Sequence, residues 1–97
     1  MTSISFIEFR KLFPFSVVEI IVQDKKSRFL LTKRAITPYK NKWHFPGGIV
    51  ERNTSLEKMV KIIAKRELNL NVKIDKFVGV YESILPERHD ISHIYIV

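Results

Sequence analysis

Apolar positions along the chain change their period several times, and each change marks an element. Residues 4–12 mix apolar and polar side chains loosely and predict a short helix before Pro14. Ser16–Gln23 is a nearly continuous, β-branched apolar run, the pattern of a buried strand. Asp24-Lys25-Lys26-Ser27 is a polar turn, and Arg28–Arg34 is the returning strand of a hairpin. A loop over Ala35–Lys42 leads to a short extended piece, Trp43–Phe45, and then to Pro46-Gly47-Gly48, which reads as a tight glycine turn. A helical period follows. Leu56, Met59, Val60, Ile63, Ala64 and Leu68 share one stripe, and Thr54-Ser55-Leu56-Glu57 has the capping-box spacing, with Thr54 as the expected N-cap. Asn69 stands where the helix should end, because Asn tolerates the left-handed conformation used there. Val72–Glu82 predicts a strand broken at Gly79, Leu85–Asp90 a polar loop, and Ser92–Val97 a last strand.

Two carboxylates break these apolar patterns. At roughly 100° per residue, Glu67 falls near the centre of the helical stripe. An unpaired buried carboxylate costs several kcal/mol, so Glu67 is owed a partner, unless it curls to solvent from the last turn or pairs with a lysine. Glu19 interrupts Val17-Val18-Glu19-Ile20-Ile21-Val22. It either faces water from a half-exposed strand or lines a ligand cleft. A glycine turn leading to a helix with an inward acid suggests a site for a metal and a phosphate.

Composition narrows the class. The 97 residues allow one small domain, and a hydrophobic content of 45% is that of a globular chain. Without cysteine there is neither a disulfide framework nor a thiolate metal site. No apolar run is long enough to span a bilayer and the first residues have no basic leader, so a cytoplasmic protein is expected. The net charge of +7 favours anionic partners, although lysines spread through the chain equally describe a solvated surface. Charge alone supports nucleic-acid binding, which therefore ranks last.

From Gly48 onward the residues resemble the Nudix box, in which a glycine is followed at fixed spacing by Glu, Arg-Glu, Glu-Glu and a closing glycine. Gly48, Ala64, Glu67 and Leu70 match. Thr54 stands for the first Glu, Ile62-Ile63 for Arg-Glu, Arg66 for the first of the paired acids, and Asn69 for the last glycine. The flanks strengthen the resemblance: Phe29-Leu30-Leu31-Thr32-Lys33-Arg34, then Trp43-x-Phe45-Pro46-Gly47-Gly48, and Gly79-Val80-Tyr81 after the box. Within the superfamily the reduced box is most similar to the GDP-mannose mannosyl hydrolases.

The resemblance implies an α/β fold, a Nudix-like mixed sheet with the box helix packed on it. It also implies that residues 1–97 form a single, incomplete domain whose C-terminal strand and helix are missing. The sequence stops in an apolar strand, His93-Ile94-Tyr95-Ile96-Val97, which is expected to be the unpaired edge of a fragment, the alternative being a terminal strand paired in the middle of a sheet. The implied activity is Mg²⁺-dependent hydrolysis of a GDP-sugar at the anomeric carbon, with Mn²⁺ as a possible substitute. Gly47 and Glu67 would be metal ligands, Glu67 and Arg34 catalytic groups, and Phe6, Glu19 and Arg34 substrate contacts. A homodimer through the N-terminal segment is also implied. The alternatives are a degenerate module that binds nucleotide without catalysis and a pyrophosphohydrolase of nucleoside-diphosphate-linked compounds. Of His44, His89 and His93, none has the spacing of a general base, and His93 reads as structural.

Overall fold

The computed structural model describes residues 5–26, 28–33 and 43–97. Helix α1 (Phe6–Leu12) is followed by strands β1 (Phe15–Gln23), β2 (Phe29–Leu30), β3 (Thr32–Lys33), β4 (Trp43–His44) and β5 (Gly47–Ile49). Helix α2 (Leu56–Leu68) and the hairpin β6 (Lys76–Leu85) and β7 (Arg88–Ile96) complete the order. Strand β1 is the central element. It runs parallel to β7 along one edge, and β5 and β2 pair antiparallel with successive parts of its other edge. The principal sheet has the order β2-β1-β7-β6, while β3 and β4 form a separate two-stranded ribbon. Asp24 closes the β1–β2 turn: its carboxylate accepts from the Lys26 and Arg28 amides at 2.8 and 3.0 Å and from Arg28 Nε at 2.6 Å.

The α2 stripe forms one side of the core. Met59, Val60, Ile63 and Ala64 are wholly buried against Val18, Ile20 and Tyr95, with Leu56 and Leu68 partly buried at the ends. Side chains alternate across a strand, so Val18 and Ile20 face α2 while Val17 and Glu19 face the opposite side. At its N-terminus the helix is capped by Ser55, not Thr54. The Ser55 hydroxyl accepts from the Lys58 amide at 3.1 Å, and Thr54 instead donates to the Arg52 carbonyl at 3.3 Å. Asn69 ends the helix at φ 54°, ψ 37°, as the sequence predicts, and the Asn69 and Leu70 amides return to carbonyls of the last turn.

Three expectations need correction. The last strand is not an unpaired edge: β7 lies between β1 and β6 and is hydrogen-bonded on both sides. The polar stretch Leu85–Asp90 is not a loop, because β6 and β7 continue through it to a tight turn at Pro86-Glu87. The antiparallel β6–β7 pairing continues through this stretch, with Ser83 opposite Asp90, Ile84 opposite His89 and Leu85 opposite Arg88. Arg28–Arg34 is not one strand either. Its described part divides into β2, which pairs with β1, and β3, which pairs with β4.

Candidate functional site

Gly47 and Gly48 do not form a turn. They are strand residues of β5, and neither has a positive φ. Their lack of a side chain serves close approach instead. A Cβ on Gly47 would lie 2.9 Å from the Val18 carbonyl oxygen and 3.1 Å from Glu19 Cγ. A Cβ on Gly48 would lie 2.8 Å from Arg66 Nη2 and 3.5 Å from Ile63 Cγ1. One glycine admits the Glu19 side chain on one face, and the other admits the last turns of α2 on the opposite face.

The ladder fixes the direction of the Gly47 backbone. The Ile20 amide donates to the Pro46 carbonyl at 2.9 Å and the Val50 amide to the Ser16 carbonyl at 2.8 Å. Gly47, opposite Glu19, occupies the wide pair between such bonds. Its N–H and C=O therefore point away from β1. The N–H donates to Glu67 Oε2 at 3.2 Å, and the carbonyl lies on the same edge of the strand.

Glu67 thus has the partner its position demanded, but it is exposed rather than buried. The stripe carries it toward the sheet, yet at the last turn of α2 its carboxylate reaches the outward edge of β5. Glu67 Oε1, with the Gly47 carbonyl, offers two oxygen donors of the type a hard divalent cation prefers. Among the described residues no group of three His, Asp or Glu side chains could hold a metal ion. The donor set therefore fits a Mg²⁺ or Mn²⁺ ion that keeps waters and brings substrate phosphates, and it does not fit a site that holds a bare ion tightly.

Glu19 is half-buried on the face away from α2. Ser92, itself buried, donates to Glu19 Oε1 at 3.5 Å. Burial pushes the Glu19 carboxyl above its ordinary value; the Ser92 hydroxyl opposes that shift, Asp90 adds to it and His44 opposes it. The neutral acid is thus favoured by folding. Below the ordinary value of 4.5 the group is protonated in both states and has no net effect. As pH rises through 4.5 toward the folded-state value, stability is lost. Glu19→Gln should accordingly raise the melting temperature relative to wild type at pH 7 more than at pH 4, measured by thermal scans at both pH values. An equal difference at both would contradict the shift.

Asp90 is held by Arg88 at 2.9 Å, and Arg88 lies over the Phe15 ring at 5.1 Å from its centroid. His93 Nε2 is 3.2 Å from Ser16 Oγ on the α2 side of the sheet. His89 pairs with Glu82 at 2.7 Å. Arg34 and the side chain of Phe6 lie outside the described residues. Glu19, Gly47 and Glu67 are brought together around one backbone segment. Two participants were not singled out by pattern: Ser92, whose burial only the parallel β1–β7 pairing produces, and Arg66, which lies against Gly48. The reversed charge of Arg66 in a position that is acidic in the Nudix box was the one available signal.

The sequence matches the family model of the NUDIX domain over residues 14–97. An ADP-ribose pyrophosphatase of Methanocaldococcus jannaschii is 35% identical over 71 residues, which is 73% of this chain and 41% of that protein. A MutT NUDIX hydrolase from Burkholderia pseudomallei superposes with a TM-score of 0.81 at 23% identity, covering 88% of this chain and 67% of that one. A bifunctional NMN adenylyltransferase/ADP ribose pyrophosphatase from Francisella tularensis, solved with AMP and a Mn ion, gives a TM-score of 0.75 at 21% identity, covering 86% of this chain and 26% of that one. The chain thus spans about two fifths of the curated relative. These names are those of pyrophosphatases and MutT-type hydrolases, not of GDP-mannose hydrolases.

Proposed function

The chain belongs to the NUDIX family, and from that premise we propose that it binds a nucleoside-diphosphate-linked compound at the Gly47–Glu67 edge and hydrolyses the diphosphate. The observation that carries this reading is the Glu67 carboxylate, fixed by the Gly47 amide at 3.2 Å beside an outward carbonyl. The name of the Methanocaldococcus relative and the AMP and Mn of the Francisella structure support it.

In this reading Glu67 and the Gly47 carbonyl hold a divalent cation. When bound, such an ion neutralises charge on the diphosphate. The Gly47 N–H keeps the Glu67 carboxylate oriented, and Glu19 lines the opposite face of the same segment. The roles of Arg34 and Phe6, a phosphate contact and a base contact, come from the resemblance to the GDP-mannose mannosyl hydrolases and belong with the second reading, below. The box supplies a single carboxylate, because Ile63 is in the core and position 66 is cationic. Turnover is therefore expected to be about a hundred- to ten-thousand-fold below that of a site with a positioned general base.

The same scarcity of acids favours a second reading, carbon–oxygen cleavage of a GDP-sugar, which needs a stabilised leaving group more than an activated water beside phosphorus. Hydrolysis in ¹⁸O-water separates the two. With ADP-ribose, label is expected in AMP or ribose phosphate. Label in free sugar from GDP-mannose, with no cleavage of ADP-ribose, would overturn the first reading in favour of the second.

A further inference from the structure

Arg66 occupies the last full turn of α2 beside Glu67, with its guanidinium against the backbone of Gly48, where a Cβ would stand 2.8 Å from Nη2. Its partner is Glu51, at 3.7 Å between oxygen and nitrogen, with both side chains more than half exposed. That distance is too long for a hydrogen bond. The guanidinium is thus placed on the glycine segment while its five N–H donors are unspent among the described residues. Lys58, Lys61 and Lys65 continue the positive charge along the exposed face of the helix, and with Ile62 and Arg66 they line a shallow groove of about 520 Å³. Arg66 is the member of this set that reaches the Gly47–Gly48 segment.

A planar fork of free donors beside an oxygen-donor site is suited to a diphosphate, to whose oxygens it can donate in pairs. We propose that Arg66 is a diphosphate-binding residue, holding the phosphates directly from the α2 face of Gly48 and independently of any divalent cation. This rests on the reading of the Gly47–Glu67 edge as the phosphate site. It goes beyond that reading in giving the chain a phosphate contact that requires no metal. The cationic side chain also disfavours a second metal ion at this position, because like charges repel over these distances.

The test is binding of inorganic pyrophosphate in excess EDTA at low ionic strength, followed by calorimetry, for wild type, Arg66→Gln, Lys65→Gln and Glu67→Gln. Each substituted side chain is exposed, and circular dichroism checks that the variants stay folded. Wild type should bind without metal. Arg66→Gln should weaken binding about ten- to hundredfold, the loss of a charge-assisted contact. Lys65→Gln should weaken it by less than about fivefold, as for an exposed charge. Glu67→Gln should leave it unchanged or stronger, since a negative charge is removed. Absence of metal-free binding by wild type, or equal losses for Arg66→Gln and Lys65→Gln, would overturn the proposal. Failure of the metal assignment would register separately, as equal Mn²⁺ binding by wild type and Glu67→Gln.

Discussion

Shortening Ile63 to alanine should remove about 2–5 kcal/mol of folding stability, the usual result of deleting a wholly buried aliphatic side chain. Against a total of about 5–15 kcal/mol for a domain this is a large fraction. Ile63 is fully buried among Val18, Ile20, Met59, Val60, Ala64 and Tyr95. Its Cγ1 also lies 3.5 Å from the place a Cβ on Gly48 would take. The cavity would therefore open between α2 and β5, beneath the Gly47–Glu67 hydrogen bond. Denaturant unfolding should show a much lower midpoint with an unchanged slope. Lys61→Ala, on the exposed face of the same helix, should stay within about 0.5 kcal/mol of wild type. Equal effects of the two substitutions would contradict the packing of α2 on β1 and β5.

The period of the apolar positions made α2 legible almost to the residue, because burial along a helix repeats locally and Asn69 marks its own end. It also placed β1, whose β-branched residues pack on both faces of the sheet. What it missed depends on partners distant in sequence. The turn expected at Pro46-Gly47-Gly48 is a strand because β1 offers it a ladder, and the two glycines are required by Val18, Glu19, Ile63 and Arg66 rather than by backbone conformation. The final strand looked like an edge because nothing in His93–Val97 announces that β1 runs parallel beside it. The exposed apolar edge is instead β6, where Val80, Tyr81 and Ile84 are each more than half exposed. Ser55 displaced Thr54 as the cap by one residue, a difference that two adjacent hydroxyls cannot decide from sequence.

The site divides in the same way. Glu67 was legible because a carboxylate in an apolar stripe needs an explanation, and the Gly47 amide supplies it. Its exposure was one of the alternatives left open, a carboxylate curling to solvent from the last turn, and the stripe could not decide it because it gives direction but not where the sheet ends. Glu19 was marked by the same logic, and its environment, desolvated but bonded to Ser92, lies between the two readings the sequence left open. The resemblance fixed the family, while the finer assignment to GDP-mannose hydrolases rested on which box acids are absent. An absent acid is consistent with several chemistries, which is why the substrate must be settled by cleavage products.

On the proposed reading, Glu67 is the side-chain ligand of a divalent cation that arrives with a diphosphate. Binding of the Mn–ADP complex, followed by the enhancement of water-proton relaxation when the complex is held by protein, measures it directly. Wild type should give a saturable enhancement. Glu67→Gln keeps the size of the side chain but removes its charge. It should weaken binding by at least the about ten- to hundredfold that loss of a group merely supporting a metal ligand costs. Equal titration curves for the two proteins would contradict Glu67 as a metal ligand.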